Sequence, residues 1–81
     1  MQVPVIRHID IRRKEVLFRK DFDLPAVPGP GWQIRVEEGR ILEVERVIVG
    51  DRVVEVHCKV EKQESETRVR RLKDEGWVDR W

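Results

Sequence analysis

Apolar and polar residues alternate along most of this 81-residue chain with a period of two, the pattern of strands that place one face on a core. In segment 3–11 the odd positions are apolar, interrupted by Arg7. In segment 15–24 the even positions are apolar, with Lys20 as the exception. The polar run 12–15 between the two predicts a turn, so these segments should pair as a hairpin.

Two further strands follow a segment rich in proline. Trp32 begins a short alternating run that predicts a third strand with Trp32 facing the core, and Gly39 can adopt the positive φ of the loop that ends it. In the fourth strand the parity of the apolar residues changes. This change predicts a β-bulge near Glu45 and Arg46.

The dipeptide of Gly50 and Asp51 predicts a two-residue hairpin with glycine first, leading into a fifth strand. Alternation within that strand assigns its residues to two faces. The predicted inward residues are Val54, Val56, Cys58 and Val60, and the predicted outward residues are Glu55, His57, Lys59 and Glu61.

The end of the chain changes to a helical pattern. Ser65 can cap a helix that extends to Glu75, and the pairs Glu64–Arg68 and Glu66–Arg70 have the i,i+4 spacing of helix-surface ion pairs. Gly76 should take the left-handed position after this helix and fold Trp77 back on Leu72. We therefore expect a helix that packs on the strands through Val69, Leu72 and Trp77.

These elements predict a mainly β protein: a small, five-stranded, open β-barrel resembling Src-homology-3 domains, with one C-terminal α-helix. Fourteen Val and six Ile against four Leu and one Ala favour strands in the same way. The chain is short enough for one domain, with the barrel in residues 1–62 and the helix and tail in residues 63–81.

The stretch "DLPAVPGPGW" contains three of the four prolines and two of the five glycines. Its Pro25 and Pro28 match the P-x-x-P ligand motif, but a stiff connector between two strands needs the same residues, and we favour the connector. The run "FDLPAVPGPGWQI" resembles a recurrent F-x-L-P-x-V-P pattern of small uncharacterised bacterial and phage proteins. The resemblance covers about residues 5–60, implies a small barrel, and carries no assigned activity or functional residue.

Amino-acid composition indicates the kind of organism and the cellular location of the protein. Charged residues make up 41% of the chain and asparagine is absent, a pattern typical of thermophile proteins. A single cysteine excludes an internal disulfide, and no apolar run approaches the about 20 residues that cross a bilayer. We expect a soluble cytoplasmic protein, encoded in a thermophile host or by one of its phages or mobile elements.

The sequence gives no catalytic, cofactor or metal motif. His57 and Cys58 are neighbours in a strand and so face opposite ways, which makes Cys58 a core residue and His57 a surface residue. His8 could reach His57 if the first and fifth strands pair, but two histidines with Glu55 would make a poor metal site. Ser65 and Thr67 fit helix caps better than nucleophiles. The chain should therefore not be an enzyme.

Interaction with another protein, or with a second copy of the chain, is the function that we favour. The alternative is binding of nucleic acid through basic residues and an aromatic side chain on which bases stack. Trp81 is the tryptophan with no expected place in the core. The candidate contact residues for either partner are Arg12, Arg13 and Lys14 in the first turn, Arg68, Arg70 and Arg71 in the helix, and Trp81.

Overall fold

The computed structural model describes residues 1–36, 39–63 and 66–79 of the chain. In these residues the protein is mainly β, with seven strands and one short helix. The elements are β1 (Gln2–Ile11), β2 (Lys14–Asp23), β3 (Gln33–Arg35), β4 (Ile41–Val49), β5 (Val54–Cys58), β6 (Glu61–Gln63), α1 (Glu66–Asp74) and β7 (Val78–Asp79). The five predicted strands correspond to β1 to β5, and the two very short strands β6 and β7 are additional.

The strands pair in the order β3-β4-β5-β1-β2-β7, and β6 also pairs with β1. Most neighbours are antiparallel, whereas β1 lies parallel to β5 and to β6. The described pairings form an open path with β3 and β7 at its ends. The mainly β class is thus confirmed, while closure into a barrel is not shown by this pairing.

The inner face of the sheet and helix α1 enclose one hydrophobic core. Along β1, Val3, Val5 and Ile9 belong to this core, and Leu72 and Trp77 reach it from the C-terminal segment. The residues between them, among them Ile6 and His8, lie on the opposite, outer face because side chains alternate along a strand. The expected packing of the helix end on the strands is confirmed.

Turns account for several details of the register. The predicted bulge is confirmed by a shift of the β4–β5 pairing between Val44 and Arg46. Gly39 has a positive φ of 73°, as predicted. The predicted two-residue hairpin is wrong, because Val49 pairs with Val54 and four residues separate them. Gly50 has no positive φ and closes this loop by donating its N–H to the carbonyl oxygen of Val53.

The proline segment is the connector that the sequence predicts. Residues 24–32 contain no strand, Pro28 is buried, and Val27 packs against the core. Gly31 has a φ of 86° and donates its N–H to the carbonyl oxygen of Val44, which attaches the connector to β4. A P-x-x-P ligand needs both prolines exposed, so burial of Pro28 argues against that interpretation.

Beyond Cys58 the expected alternation fails. The strand stops there, and a new one begins at Glu61, so the faces of the intervening residues change. Val60 is exposed and Glu61 points inward, the reverse of the prediction. The reason is Arg7: its guanidinium lies on the inner face of β1 and needs a buried carboxylate partner.

Helix α1 covers Glu66–Asp74, close to the predicted range. The predicted cap at Ser65 and the pair Glu64–Arg68 lie outside the described residues. At the other end, Gly76 has a φ of 95°, and Trp77 donates its N–H to the carbonyl oxygen of Leu72. This is the predicted Schellman ending.

Candidate functional site

Two histidines lie on the outer face of the sheet where β1 meets β5. The parallel register places Ile6 beside His57, and His8 follows Ile6 on the same face of β1. Only 7% of His8 and 4% of His57 are exposed. The junction between the two strands therefore holds two titratable rings with little access to water.

Glutamates flank the two rings and complete a chain of three hydrogen bonds. Oε1 of Glu15 lies 2.7 Å from Nδ1 of His8, and Nε2 of His8 lies 2.8 Å from Nδ1 of His57. Nε2 of His57 lies 3.2 Å from Oε1 of Glu55. We call these four residues the histidine relay. They come from β2, β1 and β5, so the relay crosses the sheet.

The relay needs three N–H protons to satisfy its three hydrogen bonds. An ionised glutamate only accepts, so Nδ1 of His8 must donate to Glu15 and Nε2 of His57 must donate to Glu55. The two facing ring nitrogens then need one proton between them. A relay in which all three hydrogen bonds are made therefore has three protons on its four ring nitrogens.

Burial identifies the acceptor in the hydrogen bond between the two rings. Desolvation lowers the pKa of His57 below its ordinary value, and the nearby charges of His8 and Arg46 act in the same direction. The hydrogen bond from His57 to Glu55, together with the charge of that carboxylate, opposes the shift. In the bond between the rings, Nδ1 of His57 is therefore the acceptor and Nε2 of His8 is the donor.

A shallow groove of about 460 Å³ opens beside the relay. It is lined by His8, Glu15, Leu17, Glu45, Arg46 and Val60. A further carboxylate lies next to it, because Asp10 follows His8 on the outer face and pairs across the sheet with Glu15. Oδ1 of Asp10 is buried without a hydrogen-bond partner. The relay thus lies among more carboxylates than cations.

All four ring nitrogens are engaged within the relay, and this limits its chemistry. A metal ligand needs a free nitrogen lone pair, and in the three-proton state the one remaining lone pair accepts the hydrogen bond between the rings. In the described part of the chain, no group of three or more His, Cys, Asp or Glu side chains is arranged to hold a metal ion. The arrangement can hold and share protons between β1 and β5.

The sequence anticipated part of this site. The meeting of His8 and His57 is confirmed, as is their separation from Cys58, which lies in the core. The prediction that His57 is a surface residue is wrong, because the neighbouring strands leave its ring buried. One signal was Ile6: an isoleucine among the outward positions of β1 indicates that this part of the outer face is covered.

The basic candidate residues lie apart from the relay. Arg12 and Arg13 form the β1–β2 turn with φ values of 50° and 67°, and both are exposed. Arg68, Arg70 and Arg71 are exposed on α1. Within the ranges that the structure covers, Arg13, Lys14 and these three helix arginines make no ion pair. Trp81, the remaining candidate, lies outside the described residues.

Chain connectivity brings the two basic groups to the same end of the sheet. Gln63 of β6 pairs with Ile11, the last residue of β1 before the turn. Glu66, the first residue of α1, follows three residues later and so lies within about 11 Å of Gln63. The first helical turn, with Arg68, therefore starts near the Arg12–Arg13 turn.

Trp32 is 58% exposed, so its predicted place in the core is wrong. Strand β3 begins one residue later, and the tryptophan belongs to the connector. Its N–H donates to the carbonyl oxygen of Gly29, and its carbonyl oxygen accepts from the N–H of Val44. An exposed indole of this kind offers a surface on which a base or an apolar side chain could stack.

Comparisons with known proteins found no relative of this chain. No family model, no curated protein and no solved structure matches this chain. Among the described residues, no helix is long and apolar enough to cross a membrane.

Proposed function

We propose that this chain is a non-enzymatic accessory protein that acts by contact with another protein. The observation that supports this most directly is a group of exposed apolar side chains at one end of the sheet. Met1, Val49 and Val53 are each at least half exposed there, and Ile48 is 44% exposed. Exposed apolar groups of this kind gather at surfaces that bind other proteins.

A groove at this end of the sheet gives the exposed apolar surface a concave shape. It has a volume of about 380 Å³, and its apolar lining includes Met1, Pro4, Val27 and Val53. Three charged side chains, Arg19, Asp21 and Arg52, line it as well. An apolar centre with a charged rim is the usual composition of a protein-binding surface. We call the surface formed by Met1, Val49, Val53 and this groove the apolar end.

The proposal includes the small open barrel. Ile34 of β3 and Trp77, next to β7, belong to the same hydrophobic core although their strands end the sheet path on opposite sides. A sheet whose two ends contact one core must curve around it. The two end strands are only three and two residues long, which leaves little free edge for unwanted pairing.

Co-purification from cells of the source organism tests the interaction. The tagged wild type should retain one protein at a constant ratio, and Val49→Glu with Val53→Glu should lose it because charges oppose burial of the apolar end. Val60→Glu is the matched control, since Val60 is similarly exposed but lies on the other groove. Retention of the partner by the double variant, or the absence of any constant partner, would contradict the proposal.

Nucleic-acid binding remains a second candidate because of one observation at the first turn. Both of its residues are arginines in the left-handed region, where an Asn-Gly pair would avoid the steric cost. Strain of this kind is retained most often where it serves a function. The exposed Trp32 and the exposed arginines of α1 supply the other elements that single-strand binding needs.

Fluorescence anisotropy with a labelled single-stranded oligonucleotide at low salt separates the two candidates. If the second is right, binding should weaken steeply with salt. Replacing Arg13 and Lys14 by Glu, or Arg70 and Arg71 by Glu, should abolish it. Arg35→Glu with Arg52→Glu makes the same change in net charge on other parts of the surface and should bind nearly as well as wild type. No anisotropy change for the wild type at about 50 mM salt would exclude this function.

A further inference from the structure

We propose that the histidine relay is an acid-sensitive latch: the hydrogen bond between His8 and His57 fastens β5 to β1, and it opens when both facing nitrogens become protonated. The inference rests on the geometry of the relay and is independent of the partner proposed above.

The latch lies at the pairing that joins the two parts of the sheet. Strands β1 and β5 are joined over only two residue pairs, Val5–Val56 and Ile6–His57. This short ladder connects the β3-β4-β5 part of the sheet to the β1-β2-β7 part. Ten residue pairs join β1 to β2 and three join β1 to β6, so the β1–β5 junction is the shortest of the three pairings of β1. A side-chain bond at this seam supplements a small number of backbone bonds.

Acid breaks the hydrogen bond between the two rings by protonating its acceptor nitrogen. In the complete relay, Nδ1 of His57 accepts from Nε2 of His8 at 2.8 Å. A fourth proton would turn that acceptor into a donor, so that two N–H groups and two positive charges would face each other. Both changes are repulsive at this distance, and the rings must separate.

Charged groups from every neighbouring strand act on the pair. The carboxylates of Glu15 and Glu55 hold the outer ring nitrogens, and they favour the first three protons. Arg46 disfavours a further proton on His57. Further charged groups on this face include Asp10 of β1, Arg19 of β2, Glu45 of β4 and Lys62 of β6, which pairs with Asp10.

The direction of the pH effect follows from the lowered pKa of His57. In an unfolded chain, His57 takes up a proton near its ordinary pKa of about 6.5. In the folded protein it takes up this proton only at a lower pH. The unfolded state then binds more protons than the folded state, so stability falls as the pH drops from about 6.5 to the folded pKa. Above about 6.5 this contribution is complete.

Nuclear magnetic resonance of the ¹⁵N-labelled protein, with a chelator present, observes the latch directly. At pH 7.5 we expect a scalar coupling through the hydrogen bond between Nε2 of His8 and Nδ1 of His57. The coupling should disappear as the pH is lowered, while the backbone spectrum is still that of a folded protein. Absence of the coupling at pH 7.5, or its persistence until the chain unfolds, would overturn the proposal.

Amide hydrogen exchange measures the consequence for the sheet. After correction for the intrinsic pH dependence of exchange, β5 amides should exchange about three- to tenfold faster below the transition than above it, as expected for loss of one buried hydrogen bond. Amides of the β1–β2 hairpin should change less. Equal changes in both places would show that acid acts on the whole fold and not on this seam.

Variants connect the effect to His57. In His57→Gln, the loss of stability between pH 7 and pH 5 should shrink relative to wild type, because one of the groups that takes up a proton on unfolding is gone. Glu43→Gln removes an exposed carboxylate outside the relay and should keep most of the wild-type pH dependence. An unchanged pH dependence in His57→Gln would overturn the latch, and the measurements on the wild type decide the matter if this variant does not fold.

Discussion

Arg7 shows how one residue can set the conformation of a segment far from it in sequence. Its guanidinium is buried on the inner face of β1 and donates two hydrogen bonds, of 2.8 Å and 2.7 Å, to the carboxylate of Glu61. It also lies 4.9 Å from the centre of the Trp77 ring. Because a buried cation without a partner is very unfavourable, Glu61 must face inward, and β5 cannot continue its alternation into β6.

Removing the partner of Arg7 should be costly. Glu61→Gln leaves the guanidinium buried without a countercharge, and we expect a loss of about 3–5 kcal/mol in the free energy of unfolding, measured by urea denaturation. Glu43→Gln breaks the exposed ion pair between Glu43 and Lys59 and should cost less than about 1 kcal/mol. Similar losses in the two variants would mean that Arg7 does not depend on Glu61.

Cys58 should be slow to react in the folded protein. Burial, and next the charge of Glu61, raise the pKa of its thiol to about 11 from an ordinary value of 9.0. The reactive thiolate is then about a hundredfold scarcer than in an unfolded chain near pH 8, before access is considered. Alkylation followed by mass spectrometry should show slow labelling that becomes fast in denaturant. Fast labelling of the native protein would reopen an enzymatic role.

At the scale of elements, the end of α1 is fixed both by its own backbone and by a side chain of β2. Gly76 donates its N–H to the carbonyl oxygen of Lys73, and Trp77 donates to that of Leu72. From β2, Nζ of Lys20 donates to the carbonyl oxygen of Glu75 at 2.6 Å. A cation at the C-terminus of a helix also interacts favourably with the helix dipole. Lys20, an apparent exception in the alternation of β2, is explained by this contact.

Gly76→Ala should destabilise the protein because a Cβ in the left-handed region costs about 1–2 kcal/mol. The added atom would meet Lys20 carbons at 3.5 Å, an ordinary contact, so the backbone conformation is the main cause. Gly29→Ala is the control: Gly29 has no positive φ, and its added Cβ would lie 3.7 Å from the Trp32 ring. Thermal unfolding should show a clear drop in melting temperature for the first variant and little change for the second.

Local patterns predicted the elements that local chemistry determines. The bulge at Arg46 and the glycine ending of α1 follow from parity and from one residue type, and both are confirmed. The break after Cys58 could not be predicted in this way. Val60 continues the apolar alternation, and only the buried charge of Arg7, which reaches Glu61 through tertiary structure, reverses it.

The histidine relay was less predictable for the same reason. Its four residues come from three strands, and the contact between His8 and His57 depends on parallel pairing of β1 with β5, which no local pattern specifies. Alternation shows that both histidines lie on the outward face. It cannot show that this face is buried at the junction, and the proton count depends on that burial.

On the scale of the whole molecule, the sheet has two distinct ends. At the start of β1 lies the apolar end, with Met1 and Val53, and at its finish lies the basic turn of Arg12 and Arg13. The relay lies between them on the outer face, and the helix packs on the inner face. The proposed partner surface, the strained basic turn and the proposed acid-sensitive seam thus lie on separate parts of one small fold.

The last segment of the chain should fasten the fold from within a single chain. Trp77 is 2% exposed, packs 5.6 Å from the Phe22 ring and lies beside Arg7, and Val78 pairs with Arg19 of β2. Deleting residues 77–81 removes a buried tryptophan, a change that costs about 3–5 kcal/mol in other cores.

The melting temperature of this truncated protein should therefore fall at every protein concentration, without a change in assembly by light scattering. Deleting only residues 80–81 is the control, because it keeps Trp77 and β7. A smaller particle after the longer deletion would instead assign the segment to contacts between chains. An unchanged melting temperature and mass would mean that burial of Trp77 contributes little, and that the segment serves a partner.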